Sequence, residues 1–348
     1  MRALPLFGLI LSPAVLLAQP PAGYYDPAAG LTGQALREAL RDIIDGHSVL
    51  ANSQLWAAYA VTDRKSNNKV WDIYSDVPDG TAPYEFTFGT DQCGGSVTYD
   101  SEGDCFNREH SFPQSWFGGV PGPDTDLFHM YPTDAWVNQK RANWPYGTVG
   151  NNVTFAAENG GKLGQCTYPG CSGLAFEPID AYKGDLARGY FYMLTRYMNE
   201  ANGWADAPVL SGGEFLPWVE NLLLEWHTED PVSAKEVARN NTIFTNLQHN
   251  RNPYIDHPEW VASIWGPFAS IEDRSATSPR VWFDGDGLRV ERVKTTGFAT
   301  VSVFNASGAL VTTSKVQDRS AVLALDTAPG LYVVLVDDGM RSVTRVVR

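Results

Sequence analysis

The chain is poor in charge, in cysteine and in long apolar runs. Charged residues make up 19% of its 348 positions, and aromatics 12%, with 11 tryptophans. So little charge beside so many aromatics excludes a disordered polymer. With 32 glycines and 22 prolines the chain has many turns, yet no collagen-like period or low-complexity tract. No apolar run beyond the N-terminal segment is long enough to cross a bilayer, so an integral membrane protein is not expected. Basic residues are also short, 26 against 40 acidic, for a net charge of −14. That balance argues at first sight against a polyanionic partner, although a cation in a local cleft can meet phosphate on an acidic protein.

The segments present fall into an ordered set. Residues 1–18 read as a secretory signal, with Arg2 at its start, an apolar stretch over 4–17, and Leu17-Ala18 before Gln19 as the cleavage site. Pro5 and Pro13 oppose a packed helix there. In an exported chain four cysteines suit two disulfides. Cys166 and Cys171 enclose Thr-Tyr-Pro-Gly, and Cys93 and Cys105 flank a glycine-rich excursion. A zinc site is the competing reading, and the spacing and lack of nearby histidine disfavour it.

Helical periodicity is predicted from Leu36 to Gly46 behind Thr32, then over 187–198, 215–227 and 233–248. A second apolar segment spans 53–59, and residues 70–74 suggest a short strand. Helices and short strands that do not alternate imply an α+β domain over 19–268. Residues 269–281 read as a linker, and 282–348 as a small all-β sandwich of alternating strands, with Asp337-Asp338-Gly339 as a hairpin turn. The acidity lies in the first part. Residues 1–280 carry 18 basic and 33 acidic side chains, against 8 and 7 in 281–348.

The richest neighbourhood for chemistry runs from Asn107 to Phe117 and resumes from Asp126 to Asn143. Glu109 offers a hard oxygen ligand beside His110, a base that titrates near neutrality. Thr133-Asp134 suits a helix N-terminus, which places Asn138 and its amide oxygen on a short helix. A base, a carboxylate and an amide around a divalent cation meet the needs of phosphodiester hydrolysis. Adjacent strand residues face opposite ways, so Glu109 and His110 can serve one site only where the strand ends or bulges. Taken singly, each of these residues also has a structural reading.

Several blocks together resemble the endonuclease I family, secreted nucleases with a ββα-metal (His-Me finger) active site. They are Arg108-Glu109-His110-Ser111-Phe112-Pro113, Ser115-Trp116-Phe117, Asp126-Leu127 and Val137-Asn138-Gln139-Lys140-Arg141-Ala142-Asn143. Further blocks lie at Phe176-Glu177-Pro178, at 183–193, and at Asn250-Arg251-Asn252-Pro253-Tyr254. The likeness covers about residues 22–266. It implies that His110 is the general base and that Glu109 and Asn138 bind Mg²⁺, with Ca²⁺ or Mn²⁺ as alternatives. It also implies phosphate contacts among Arg108, His129, Lys140, Arg141, Arg188 and Arg251. The substrate would be DNA, with RNA as a second candidate, cut to leave 5′-phosphate ends by a monomeric enzyme. Phe128 stands where many members carry histidine. The other histidines, His47, His227, His249 and His257, suit helix ends and turns. Residues 282–348 resemble the C-terminal sorting domain of the type IX secretion system, on Pro329-Gly330-Leu331-Tyr332 and the valine-rich ending. That likeness implies secretion machinery as a partner. A catalytically silent binding protein and a phosphodiesterase of small molecules are the alternative functions.

Overall fold

A strong apolar stripe, a Pro in the first turn or an N-terminal cap marks most of the helices. In the computed structural model, α1 spans Gly33–Ile44 and buries Leu36, Leu40 and Ile44 on one side. α2 covers Leu55–Thr62. The structure describes residues 20–78, 80–94, 97–204, 207–266, 279–284, 287–292, 297–305, 309–325, 330–337 and 341–347. The signal segment, most of the linker and the Asp338-Gly339 turn expected from sequence lie outside them. Two compact units divide the chain, Met1–Ala269 and Ser270–Arg348.

The predicted strand at 70–74 is instead a turn built by Asp72. Its carboxylate accepts from Tyr74 N at 2.8 Å, Ser75 Oγ at 2.5 Å and Asp134 N at 2.7 Å. A side chain that captures nearby backbone donors competes with strand pairing, and Val70, Ile73 and Tyr74 are buried there without a ladder. Burial, with Asp134 beside it, pushes the Asp72 carboxyl up to about 7.

The centre of the first unit is a ββα motif. β1 (Phe106–His110) pairs antiparallel with β2 (Met130–Asp134) in unbroken register, from Phe106↔Asp134 to His110↔Met130. Between them lies the short α3 (Gln114–Phe117). α4 (Ala135–Arg141) follows β2 directly, because the Asp134 side chain caps it by accepting from Val137 N at 2.9 Å. A three-stranded sheet follows, β3 (Val149–Ala156), β4 (Lys162–Cys166) and β5 (Leu174–Glu177), in the order β3-β4-β5.

α5 (Lys183–Arg196) is the central helix, buried at every position from Lys183 to Thr195. A two-stranded ribbon, β6 (Leu210–Ser211) and β7 (Glu214–Phe215), leads into α6 (Pro217–Glu229), which starts on Pro217. α7 (Ala234–Asn246) opens with a capping box between Ser233 and Glu236. α8 (Pro253–Asp256) and α9 (Glu259–Trp265) end the described part of this unit. Both expected disulfides are formed, Cys93–Cys105 and Cys166–Cys171.

The second unit is all β. β11 (Leu310–Val316), β10 (Ala299–Asn305), β13 (Leu331–Asp337) and β14 (Arg341–Val347) form one sheet in that order. β12 (Ser320–Ala324), β9 (Gly287–Glu291) and β8 (Arg280–Asp284) form the other. Val301 and Val303 pair with Val336 and Val334, and these join Leu288 and Val290 in a shared core, as alternating strands of a sandwich do.

One buried network fixes how α5, α6 and α7 meet. Arg188 of α5 donates to Glu236 of α7 through Nε at 2.5 Å and Nη2 at 2.8 Å, and through Nη1 to the Asp230 carbonyl at 2.9 Å. His227 lies against this guanidinium, 3.4 Å from Nη1 through Nδ1, while its Nε2 donates to the Pro258 carbonyl at 3.0 Å. Burial first, and the Arg188 charge second, pull the His227 pKa down to about 4. The unfolded chain therefore takes up a proton near pH 6.5 that the folded chain refuses until about pH 4. The wild-type advantage in stability over His227→Gln, measured by urea unfolding, should be full above pH 7. It should shrink by up to about 3 kcal/mol as the pH falls from 6.5 towards 4. A difference that is flat with pH would contradict this.

Candidate active site

Arg141, at the end of α4, is fully buried and reaches across to β1. Its Nη1 donates to Glu109 Oε1 and to the His110 carbonyl, each at 3.0 Å, and its Nη2 to the Ser111 carbonyl at 2.6 Å. The guanidinium also lies 4.7 Å from the centre of the Tyr146 ring. Tyr74 donates its hydroxyl to the same Glu109 oxygen at 2.7 Å and meets the Tyr146 hydroxyl at 2.7 Å. Tyr190 closes the cluster with a 2.9 Å bond to the Ser111 carbonyl. Burial pushes the Glu109 carboxyl above its ordinary range, and Arg141 and Tyr74 oppose that shift.

Asn138 stands one helical turn before Ala142 on α4. Its Nδ2 donates to Asn107 Oδ1 at 2.8 Å. Asn107 and Glu109 are two apart on β1 and so share a face of the strand. The bond turns the Asn138 amide so that Oδ1 is its remaining acceptor, while the side-chain donors Tyr74 and Arg141 both reach Glu109 through Oε1. Among the described residues, no three His, Cys, Asp or Glu side chains converge as a closed metal cage. A carboxylate and an amide oxygen fit a hard cation that keeps several of its ligands as water or substrate oxygens, as magnesium does.

His110 is the last residue of β1, and no register shift breaks the pairing of β1 with β2, so the strand ends at His110 without a bulge. Its Nε2 lies 2.9 Å from the Asp124 carbonyl. A carbonyl only accepts, so Nε2 carries the proton and Nδ1 holds the lone pair. Burial lowers the His110 pKa from the ordinary 6.5, against the opposing pull of Asp124. The imidazole is thus neutral at neutral pH, with its orientation set from behind.

His129 repeats the arrangement one carbonyl earlier, with its Nε2 donating to the Pro123 carbonyl at 2.6 Å. Its ring centre is 5.6 Å from that of His110. It is fully buried, with no partner on Nδ1, and burial and the neighbouring His110 draw its pKa down to about 4. Asp126 anchors the same turn. It accepts from Tyr192 and Tyr197 at 2.8 and 2.9 Å and from Gln248 at 3.0 Å.

The groups expected from the sequence to meet phosphate fall into three sets. Arg188 and Arg251 are buried, Arg188 on Glu236 and Arg251 on Asp256 at 2.6 and 2.7 Å. Arg141 and His129 are buried within the site itself. Arg108 and Lys140 remain partly exposed, Arg108 on Asn52 and Trp56, Lys140 3.8 Å above the Trp136 ring. Phe128 is buried and packs 4.6 Å from Tyr192, away from the groups on His110. Sequence reading gave no role to Tyr74, Asn107, Asp124 or Tyr146. Asn107 was within the quoted motif; Tyr74 lies 35 residues upstream of its partner with no local signal.

Glu109 and His110 on β1 and Asn138 on α4 are thus carried by one ββα frame. Residues 32–259 match the family described as Endonuclease I. An extracellular ribonuclease of Bacillus amyloliquefaciens is 39% identical over 250 residues, 70% of this chain and 78% of that protein. The extracellular ribonuclease of Bacillus subtilis is 37% identical over the same share. Endonuclease-1 of Buchnera aphidicola (Baizongia pistaciae) is 31% identical over 133 residues, 38% of this chain and 46% of that protein. The chain belongs to the endonuclease I family.

Arg141 supplies a sharp test of this geometry. Arg141→Met leaves Glu109 buried without its cation and should lower unfolding stability by about 3–5 kcal/mol. If the guanidinium served only to hold substrate phosphate, stability would stay within about 0.5 kcal/mol of wild type and only KM would rise.

Proposed function

We propose that the protein is an exported, magnesium-dependent nuclease that hydrolyses phosphodiester bonds with little sequence preference. The observation that carries this reading is the neutral His110, whose Nδ1 is left free by the bond from Nε2 to Asp124. His110 Nδ1 takes a proton from water as the water oxygen bonds to phosphorus. The imidazolium so formed is stabilised by the Asp124 carbonyl, with Asp124 Oδ1 at 3.4 Å. The bond from phosphorus to O3′ then breaks, leaving a 5′-phosphate. Glu109 and Asn138 would hold the cation, which supplies charge neutralisation at the phosphate and at the departing O3′. Arg141 keeps the Glu109 carboxylate and the backbone of residues 110–111 in place throughout.

Two relatives are extracellular ribonucleases and a third is an endonuclease. Their names support RNA as a substrate beside DNA, and they support secretion. Residues 1–18 would direct export, and the C-terminal sandwich would serve as a type IX sorting domain.

Plasmid nicking and RNA digestion by the mature chain test this reading. Activity should vanish in EDTA and return with Mg²⁺, and His110→Ala should lose about 10²- to 10⁴-fold. Undiminished cleavage by His110→Ala, or full activity in EDTA, would contradict it.

A further inference from the structure

α4 ends abruptly at Arg141. Ala142 has φ 50° and ψ −125°, a backbone conformation that a residue with a Cβ seldom adopts, and it turns the chain outward. Ala142, Asn143 and Trp144 are exposed, while Arg141 before them and Pro145 and Tyr146 after them are buried. A 3.1 Å bond from Trp144 N to the Arg141 carbonyl fixes the turn. Trp144 is 39% exposed, and the other large apolar side chains exposed to this degree among the described residues of the first unit are all Leu or Val. Trp116, by contrast, is buried, and Trp136 is covered by Lys140.

The turn that carries Trp144 is tied to α3. Asn143 Nδ2 reaches Ser115 Oγ at 3.4 Å. The neighbouring Gln114 donates its side-chain amide to Asp124, whose carbonyl orients His110. Gln114, Ser115, Asn143 and Trp144 are thus exposed, and Gln114 is linked to His110 through Asp124. These four side chains are uncharged and Arg141 behind them is turned inward, which leaves Lys140 as the partly exposed cation of α4.

We propose that Trp144 is a stacking platform for an unpaired base next to the scissile phosphate, so that single-stranded nucleic acid is the preferred substrate. The proposal rests on the nuclease reading above. A base inside a duplex has both faces covered by its neighbours, whereas an unpaired base offers one to the indole, whatever its identity. An apolar contact of this kind also provides affinity where local basic charge is scarce.

The test compares a short single-stranded RNA or DNA oligonucleotide with its blunt duplex, using full-length wild type, Trp144→Ala and Trp144→Phe. Stacking is worth about 1–3 kcal/mol per base, so Trp144→Ala should raise KM on the single strand about 5- to 150-fold. Trp144→Phe should keep most of the affinity, and kcat/KM on the duplex should change less than about twofold. An equal loss on both substrates, or no loss on the single strand, would overturn the proposal. Wild type that cleaves neither substrate in Mg²⁺ would instead overturn the nuclease reading on which it rests.

Discussion

The ion pair between Arg141 and Glu109 is the constraint on which the site depends. Two charges are taken out of water, and that cost is met only because the guanidinium is satisfied on several sides. It holds Glu109 Oε1 and the carbonyls of His110 and Ser111, and it lies over Tyr146. One side chain therefore sets the distance of α4 from β1, the position of a candidate cation ligand and the path of the strand where His110 leaves it. Tyr74 and Tyr190 brace the same cluster from outside the ββα motif, which explains why the motif is embedded in a larger helical unit.

The same economy accounts for an acidic protein in a family of nucleases. In the first unit Arg37, Arg141, Arg188, Arg239 and Arg251 act as internal struts. Arg239 shows this away from the site, holding Asp63 and the carbonyls of Leu127 and Met130 from α7. With guanidinium groups buried in this way, few basic groups of the ββα motif are left to meet a polyanion, Arg108 and Lys140 among them. Net charge is therefore a poor guide to substrate here, because it counts residues without regard to where their heads point.

Much of the frame was legible in the sequence. Asp134 as a cap, the apolar stripe of α1 and the two cysteine pairs rest on local rules, and the structure follows them. Glu109, His110 and Asn138 stood out in the sequence by their chemistry and by the family likeness, and the structure carries them on β1 and α4. What escaped was non-local. The strand expected at 70–74 is a turn because Asp72 bonds to a backbone amide 62 residues away, in addition to its near neighbours. Tyr74 and Asp124 are ordinary residues until the fold brings them to Glu109 and His110. Arg188 and Arg251 looked available for phosphate because the sequence does not reveal which arginine will find a buried carboxylate.

His110, the proposed base, is held by the bond from Nε2 to the Asp124 carbonyl, which places the lone pair of a neutral ring on Nδ1. Long-range ¹H–¹⁵N correlation spectra of the ¹⁵N-labelled protein at neutral pH read the ring state directly. His110 should give the signals of a neutral ring protonated on Nε2, with Nδ1 at the shift of an unprotonated nitrogen. A ring protonated on Nδ1, or on both nitrogens, would contradict it.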